Sequence, residues 1–432
     1  MVTPLRCRCV VRAMLCAVNV LLPALEMEAQ VDTTSPVSPV RLVFVHHSVG
    51  WAWLNPDEGN LLGTLRARRY YVSDTDYDWG PPDTDVNDGA NVGSHTDIGH
   101  WYNWFLGPHR DTYLASLYTN TALSADWRDS ESVADPGGEN TVIVFKSCFV
   151  SAQTIYGDEN DAPLAAGLAN PLRGRGTAEE DGTMYTVENI KGLYRDLLEY
   201  FRTRPDKLFV IVTTPPSFEG AADEAMPKLR KINAWLVEYL LTTYPRTNVA
   251  VFDYSAVLTS NGGNSSTNDL YSVSGSHHRF INGRIEYRLG PSPYLAYPSW
   301  DASAGAWDNH PSPAGHQKAA AEFAPILNAA YNRWKRGTEA TSAPRPDRTT
   351  VLDAYPDPAD GYVHIRITGP DTPILLSIHD ALGRRMQQPR DIDMGAGSVH
   401  RLDTGTFPPG LYHIVATTAR GSTSRALRVI HR

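Results

Sequence analysis

Two short stretches, far apart in the chain, hold residues of the types that do nucleophilic chemistry. The first is RLVFVHHSVGWAWL (residues 41–54), where an apolar run meets His46, His47, Ser48 and then Gly50. The second is WDNHPSPAGHQKAA (residues 307–320), which carries Asp308 and His310. A serine hydroxyl is a poor nucleophile at neutral pH and needs a neighbouring base. An imidazole can take its proton, and a carboxylate can hold that imidazole in one orientation. Ser48, His310 and Asp308 are therefore a candidate nucleophile, base and orienting acid, provided the fold brings the two stretches together.

The elements that must do so read as alternating strands and helices. RLVFVH, NTVIVFKS, KLFVIVTTPP and NVAVFDYS are near-continuous apolar runs, the pattern of strands covered on both faces in a parallel sheet. Between them, Ile190, Leu193, Leu197 and Phe201 form one helical stripe, and Leu229, Ile232, Leu236 and Leu240 another. A last helix begins with Ser312 as N-cap and Pro313 at its first position. This alternation predicts an α/β sandwich with right-handed crossovers. Ligands of such sheets bind beyond the carboxyl ends of the strands. Ser48 sits just past the first strand, with Gly50 permitting a tight turn, and His310 enters the last helix from the loop edge. Two turn-rich stretches, residues 70–99 and 259–306, are long for loops and suit lids or walls of a site.

Other side chains compete for roles. His46 and His47 alternate faces, so one lines the site while the other packs; His47 is taken as the cleft residue. Lys146 and Ser147 end the second strand and are candidates for the cleft lining. Cys148 follows them and reads as a buried small apolar residue. His95, His100, His109, His277 and His278 are numerous enough for a metal site, yet no HExxH or CxxC spacing occurs. No metal and no cofactor is expected. WYNWF (residues 101–105), with Trp51, Trp53 and Trp79, is either core or a platform on which sugar rings stack.

Composition narrows the class. The chain has 432 residues and a formal charge of −9, which gives no reason to expect nucleic acid. No apolar run is long enough for a transmembrane segment. Residues 1–30 combine Arg6, Arg8 and Arg12 with the apolar run AMLCAVNVLLPAL and a small residue, Ala29, as in a secretory signal peptide. Its removal takes three arginines, Glu26 and Glu28, shifting the charge from −9 to −10, and leaves Cys148 as the last of four cysteines. Stability must then come from a core rather than from disulfides. Residues 31–40 read as a linker, 41–336 as the α/β domain and 337–350 as a second linker. Residues 351–432 switch to period-2 alternation with glycine turns, which predicts a small antiparallel β-sandwich.

The stretch from Arg41 to Trp334 resembles the SGNH (GDSL-like) hydrolases, in a bacterial branch where FVHHSVG stands for the usual Gly-Asp-Ser opening. The residues that carry the likeness are VFVHHSVG, VIVFKSCF, FVIVTTPP and NHPSPAGHQKAAAEF. The resemblance implies a flavodoxin-like three-layer α/β/α sandwich and serine hydrolysis of esters, often acyl groups on carbohydrates, with a small-molecule or carbohydrate ester as substrate. Ser48 matches the nucleophile and His310 the late histidine. Members usually carry the late Asp three residues before the His; Trp307 holds that place here and Asp308 is one step closer. The oxyanion-donating Asn has no direct match, with Gln153, Ser147 and Asn91 as stand-ins, and Gly80 is the choice for the second-block glycine. A non-catalytic, cell-surface carbohydrate-binding protein on the same fold is the competing reading. The C-terminal module resembles type A sorting domains of the type IX secretion system through AYPDPADGYVHIRI, IHDALGRRM, RLDTGTFPPGLYHIVAT and RALRVIHR, with Asp357 where Asn is usual. That resemblance implies the type IX machinery as partner and a secreted or outer-surface location.

Overall fold

The computed structural model describes residues 31–127, 133–148, 154–176, 183–221, 224–260, 277–281, 284–287, 292–342, 351–368, 374–380, 385–392, 399–418 and 421–431. The expected signal peptide, Gln153 and residues 343–350 of the expected linker lie outside the described residues.

The chain runs through β1 (Val40–Val45), α1 (Ser48–Leu54), α2 (Leu61–Arg66), β2 (Tyr70–Thr75), α3 (Trp101–Phe105), α4 (Arg110–Thr119) and β3 (Val142–Lys146). It continues through α5 (Val187–Phe201), β4 (Leu208–Val212), α6 (Ala225–Thr242), β5 (Val249–Phe252) and α7 (Tyr254–Leu258). Two hairpins follow, β6 (His278–Ile281) with β7 (Arg284–Tyr287), and β8 (Pro298–Asp301) with β9 (Ala306–Pro311). The long helix α8 (Pro313–Ser342) closes this part of the chain.

Strands β1 to β5 form a parallel sheet in the order β2-β1-β3-β4-β5. The four apolar runs became β1, β3, β4 and β5. The fifth strand, β2, lies in a stretch that the sequence places among turns. Its polar end hides it: Ser73, Asp74 and Thr75 are buried, and Asp74 is satisfied by side-chain and backbone partners rather than by solvent. Alternate residues of β1 serve two cores. Val43 and Val45 pack with α3, α4, α5 and α6, while Leu42 and Phe44 pack with α1, α2, α7 and α8. Helices thus cover both faces.

The expected stripe of α5 is fully buried at Ile190, Leu193, Leu197 and Phe201; each such side chain stabilises the fold by roughly 1.5–3 kcal/mol. The Thr186 hydroxyl caps this helix by accepting from the Asn189 amide. Helix α8 starts at Pro313, as expected, but runs on to Ser342, past the Arg336 boundary drawn from composition.

The C-terminal part holds β10 (Val351–Asp360), β11 (Tyr362–Thr368), β12 (Ile374–Asp380), β13 (Arg385–Ile392), β14 (Val399–Asp403), β15 (Gly410–Thr418) and β16 (Gly421–Val429). Their order is β13-β12-β15-β16-β10-β11-β14, antiparallel except where Ala359 of β10 meets Val429 of β16. Ala359, Val363, Ile365, Ile378, Ile414 and Leu427 fill a separate core. Asp357 accepts a hydrogen bond from the Arg428 amide at 3.0 Å, so the Asn-to-Asp departure keeps an acceptor there. Among the described residues no helix is long and apolar enough to cross a membrane.

Candidate functional site

Ser48 is the first residue of α1, immediately beyond β1, and His47 is the residue before the helix. The strand end is held rigidly from behind. His46 Nε2 lies 2.9 Å from Asp74 Oδ2, and Ser124 donates to the same carboxylate from its amide and its hydroxyl, each at 2.6 Å. Gly50 is not at a positive φ. Its role is close approach, since a Cβ at this position would sit 2.3 Å from His46 Cβ. The expected tight turn is therefore corrected to a packing requirement.

His47 does not line the cleft. Its Nε2 lies 2.6 Å from the Gly93 carbonyl and its Nδ1 2.9 Å from the Thr96 hydroxyl. Its ring stacks on Tyr77 at 3.9 Å with 20° between planes. Burial pushes its pKa down to about 3, so the ring is neutral and one nitrogen donates while the other accepts. His47 is a support for Tyr77.

A cleft of about 590 Å³ opens beyond the strand ends, lined by Ser48, Trp51, Glu58, Asp76, Tyr77, Ser299, Asp308 and His310 among others. The serine and the histidine singled out from sequence thus share one cavity. His310 lies in β9, within a hairpin rather than on a helix-entry loop. Its Nδ1 is 3.0 Å from both Asp308 carboxylate oxygens. Burial alone would raise the Asp308 carboxyl, but its hydrogen bonds to the His310 ring and backbone hold it below its ordinary value. The hairpin is fixed at its base. Leu295 and Ala296 donate to the Ser217 and Leu258 carbonyls, Phe218 donates to Asn309 Oδ1, and Ser312 donates to the Tyr297 carbonyl.

Tyr77 was not singled out from sequence. It lies just beyond β2 and lines the same cleft as Ser48. Burial raises its pKa, keeping it protonated. No composition signal marks it; only the missed strand places it. Asp76 Oδ1, on the same wall, has no hydrogen-bond partner among the described residues.

Several expected cleft residues lie elsewhere. Ser147 is buried and accepts from the Trp101 indole at 2.8 Å. Lys146 is fully buried, and its ammonium donates to the Ser147 carbonyl at 3.2 Å. Burial pushes the Lys146 pKa down, opposed by Cys148 and Asp76. Strand β3 is covered on both faces, so side chains at its end stay inside rather than reach the cleft. Gly80 is exposed in a turn at φ +86° and Asn91 donates to the Asp78 carbonyl, so both shape the loop after β2 and neither lines the cleft. Cys148 is buried in an apolar cluster, with its sulfur 3.2 Å from Ser48 Oγ. Trp53, Trp101 and Trp104 are core, not a platform. A second cleft of about 470 Å³ beside β2, lined by Arg66, Tyr71 and Trp127, holds none of the expected residues. Among the described residues no group of three or more His, Cys, Asp or Glu is placed to hold a metal ion.

Fold and site together define an α/β protein with a cleft beyond the carboxyl ends of its parallel strands and a C-terminal antiparallel β module. That module has a family: residues 353–430 match the secretion system C-terminal sorting domain. The chain is accordingly an export substrate of the type IX secretion machinery, destined for secretion or the cell surface. No curated protein matches the chain. Among solved structures, a DUF3244 family protein with an immunoglobulin-like β-sandwich from Bacteroides vulgatus is 18% identical over 20% of this chain and 89% of its own, with a TM-score of 0.17. Dimeric latent PorU from Porphyromonas gingivalis is 19% identical over 19% of this chain and 9% of its own, with a TM-score of 0.16. A modular endo-β-1,4-mannanase from Cellulomonas fimi is 14% identical over 85% of this chain and 78% of its own, with a TM-score of 0.24. These TM-scores are too low to carry an argument about fold or activity.

Proposed function

We propose that residues 41–336 form an exported serine ester hydrolase of the SGNH type with a flavodoxin-like fold, joined to a sorting domain at 351–432. The strand order 2-1-3-4-5 supports the fold assignment. The observation that carries the activity is that Ser48, His310 and Asp308, from opposite ends of the domain sequence, line one cleft. In this reading Ser48 Oγ attacks the acyl carbonyl while His310 takes its proton. His310 then returns that proton to the departing alcohol, leaving an acyl-serine. Water, deprotonated by His310, releases the acid and regenerates Ser48. Asp308, 3.0 Å from Nδ1, fixes the ring so that Nε2 is the working nitrogen. Tyr77, held protonated by burial and lining the same cleft as Ser48, donates in this reading to the developing oxyanion in place of the missing Asn.

Hydrolysis of p-nitrophenyl acetate by the full chain and by Ser48→Ala tests the reading; equal turnover by the two overturns it. The contact between Ser48 and the Cys148 sulfur at 3.2 Å favours the second reading, a cell-surface binding protein that keeps the fold without the chemistry. Retention on immobilised glycans with no esterase turnover supports that alternative.

A further inference from the structure

We propose that Trp300 and Trp307, on the β8–β9 hairpin, form a subsite that stacks sugar rings, so that the ester presented to Ser48 is carried on a polysaccharide. The link to Ser48 rests on the hydrolase reading; the subsite itself does not.

Among the described tryptophans, these two indoles are the ones in the exposed class. Trp300 is 55% exposed and Trp307 52% exposed, whereas Trp53, Trp101 and Trp104 are at most 1% exposed. The two form a cross-strand pair in register, with ring centroids 5.1 Å apart and planes at 81°. This edge-to-face contact holds each ring against the other and leaves indole faces open. The tip between them, Ala302, Ser303, Ala304, Gly305 and Ala306, is exposed and small, so nothing bulky shields the rings. Asp301 pins that tip by accepting from the Ser303 amide and hydroxyl and the Ala304 amide.

The next pair in register, Ser299 and Asp308, lines the cleft with His310. Successive strand residues face opposite ways, so the indoles stand on the outer face of the cleft wall. A single sugar cannot engage both faces. A polymer can lie along the outer face and turn an acylated unit over the rim.

Charge selects the ligand class. Residues 298–311 contain Asp301 and Asp308 and no Lys or Arg. That disfavours nucleic acid and anionic membranes, both of which require cations at the surface. Apolar ring faces beside carboxylate acceptors suit the C–H faces and hydroxyls of a neutral sugar. The sorting domain delivers this surface outside the cell.

The test is native affinity electrophoresis of the full chain in gels containing xylan, glucomannan, starch or polygalacturonate. The proteins are wild type, Ser48→Ala, Trp300→Ala/Trp307→Ala and the conservative Trp300→Phe/Trp307→Phe. Wild type and Ser48→Ala should be retarded by at least one neutral polymer, the Ala pair bound about tenfold more weakly, and the Phe pair in between. The Ala pair should hydrolyse p-nitrophenyl acetate as wild type does, while its kcat/KM on acetylated xylan or glucomannan falls through KM. Retardation by none of the polymers, or equal retardation of wild type and the Ala pair, overturns the subsite. So does Trp-dependent binding to phosphatidylcholine vesicles without retardation. If Ser48→Ala and wild type turn over p-nitrophenyl acetate equally while Trp-dependent retardation persists, the hydrolase reading falls and the sugar subsite stands.

Discussion

The two walls of the cleft are built differently. Behind Ser48, on the sheet side, His46, His47 and Lys146 are buried, and each is tied to a named partner. On the hairpin side, the Asp308 and His310 side chains are 42% and 38% exposed, and their mutual contact is local, two residues apart. The sheet wall is preorganised by the core and tolerates little change. The hairpin wall is anchored at its base and is held elsewhere by contacts within the hairpin. A nucleophile needs the first kind of support, because a displacement of about 1 Å can cost roughly a hundredfold in rate. In the proposed reading, the base and the sugar-binding rim rest on the second.

The largest expected effect comes from uncoupling the walls. Ser48→Ala or His310→Ala should lower kcat/KM for p-nitrophenyl acetate by about 10⁴-fold or more, and the double variant should be no worse than either single one. Additive losses would mean that the two groups do not act as a unit.

Next is pH, which reads the buried wall. His47, His277 and His316 are each pushed down to about 3 by burial, against an ordinary value of 6.5. Between those values the unfolded chain binds up to three more protons, so stability falls as pH falls, by roughly 4 kcal/mol per unit near pH 5. His95 works oppositely. Burial alone would lower it, but Asp83 and Asp88 raise it, so its contribution is complete below 6.5 and is lost as pH rises through its folded value. Urea midpoints at pH 6, 5 and 4 should drop steadily. His47→Gln should reduce the slope by one proton, and a flat profile would contradict the buried neutral rings.

Tyr77→Phe should cost about 10²–10³ in kcat with little change in folding. A loss confined to KM would make Tyr77 a wall of the cleft and not an oxyanion donor. Smaller still is Gly50→Ala, which forces a Cβ against His46 and should destabilise the fold by about 1–3 kcal/mol, read from the thermal midpoint. An equal substitution on the hairpin side, Ala304→Ser at the exposed tip, should move the midpoint little.

The same contrast explains what could be read in the residues beforehand. Buried parallel strands announce themselves as unbroken apolar runs, and β1, β3, β4 and β5 were found that way. The helical stripe at Ile190, Leu193, Leu197 and Phe201 was equally plain, because helix periodicity survives in sequence. Strand β2 escapes that reading because Ser73, Asp74 and Thr75 are buried, the first two with their polar groups satisfied inside the protein, and polarity alone reads as a turn. Tyr77 was lost with it. The β8–β9 hairpin was also missed, since PSWDASAGAWDNHP reads as loop and its pairing is set by register. Ser147, Lys146 and His47 were misplaced for one reason. Sequence locates a strand's end, but which of its last side chains turns inward depends on what packs against it.

The most direct measurement is labelling of the full chain with a fluorophosphonate, followed by peptide mapping. The expected result is a single adduct on Ser48 that forms about a hundredfold or more slowly in His310→Ala. No adduct on Ser48, or one that forms as fast without the imidazole, would contradict a working pair across the cleft.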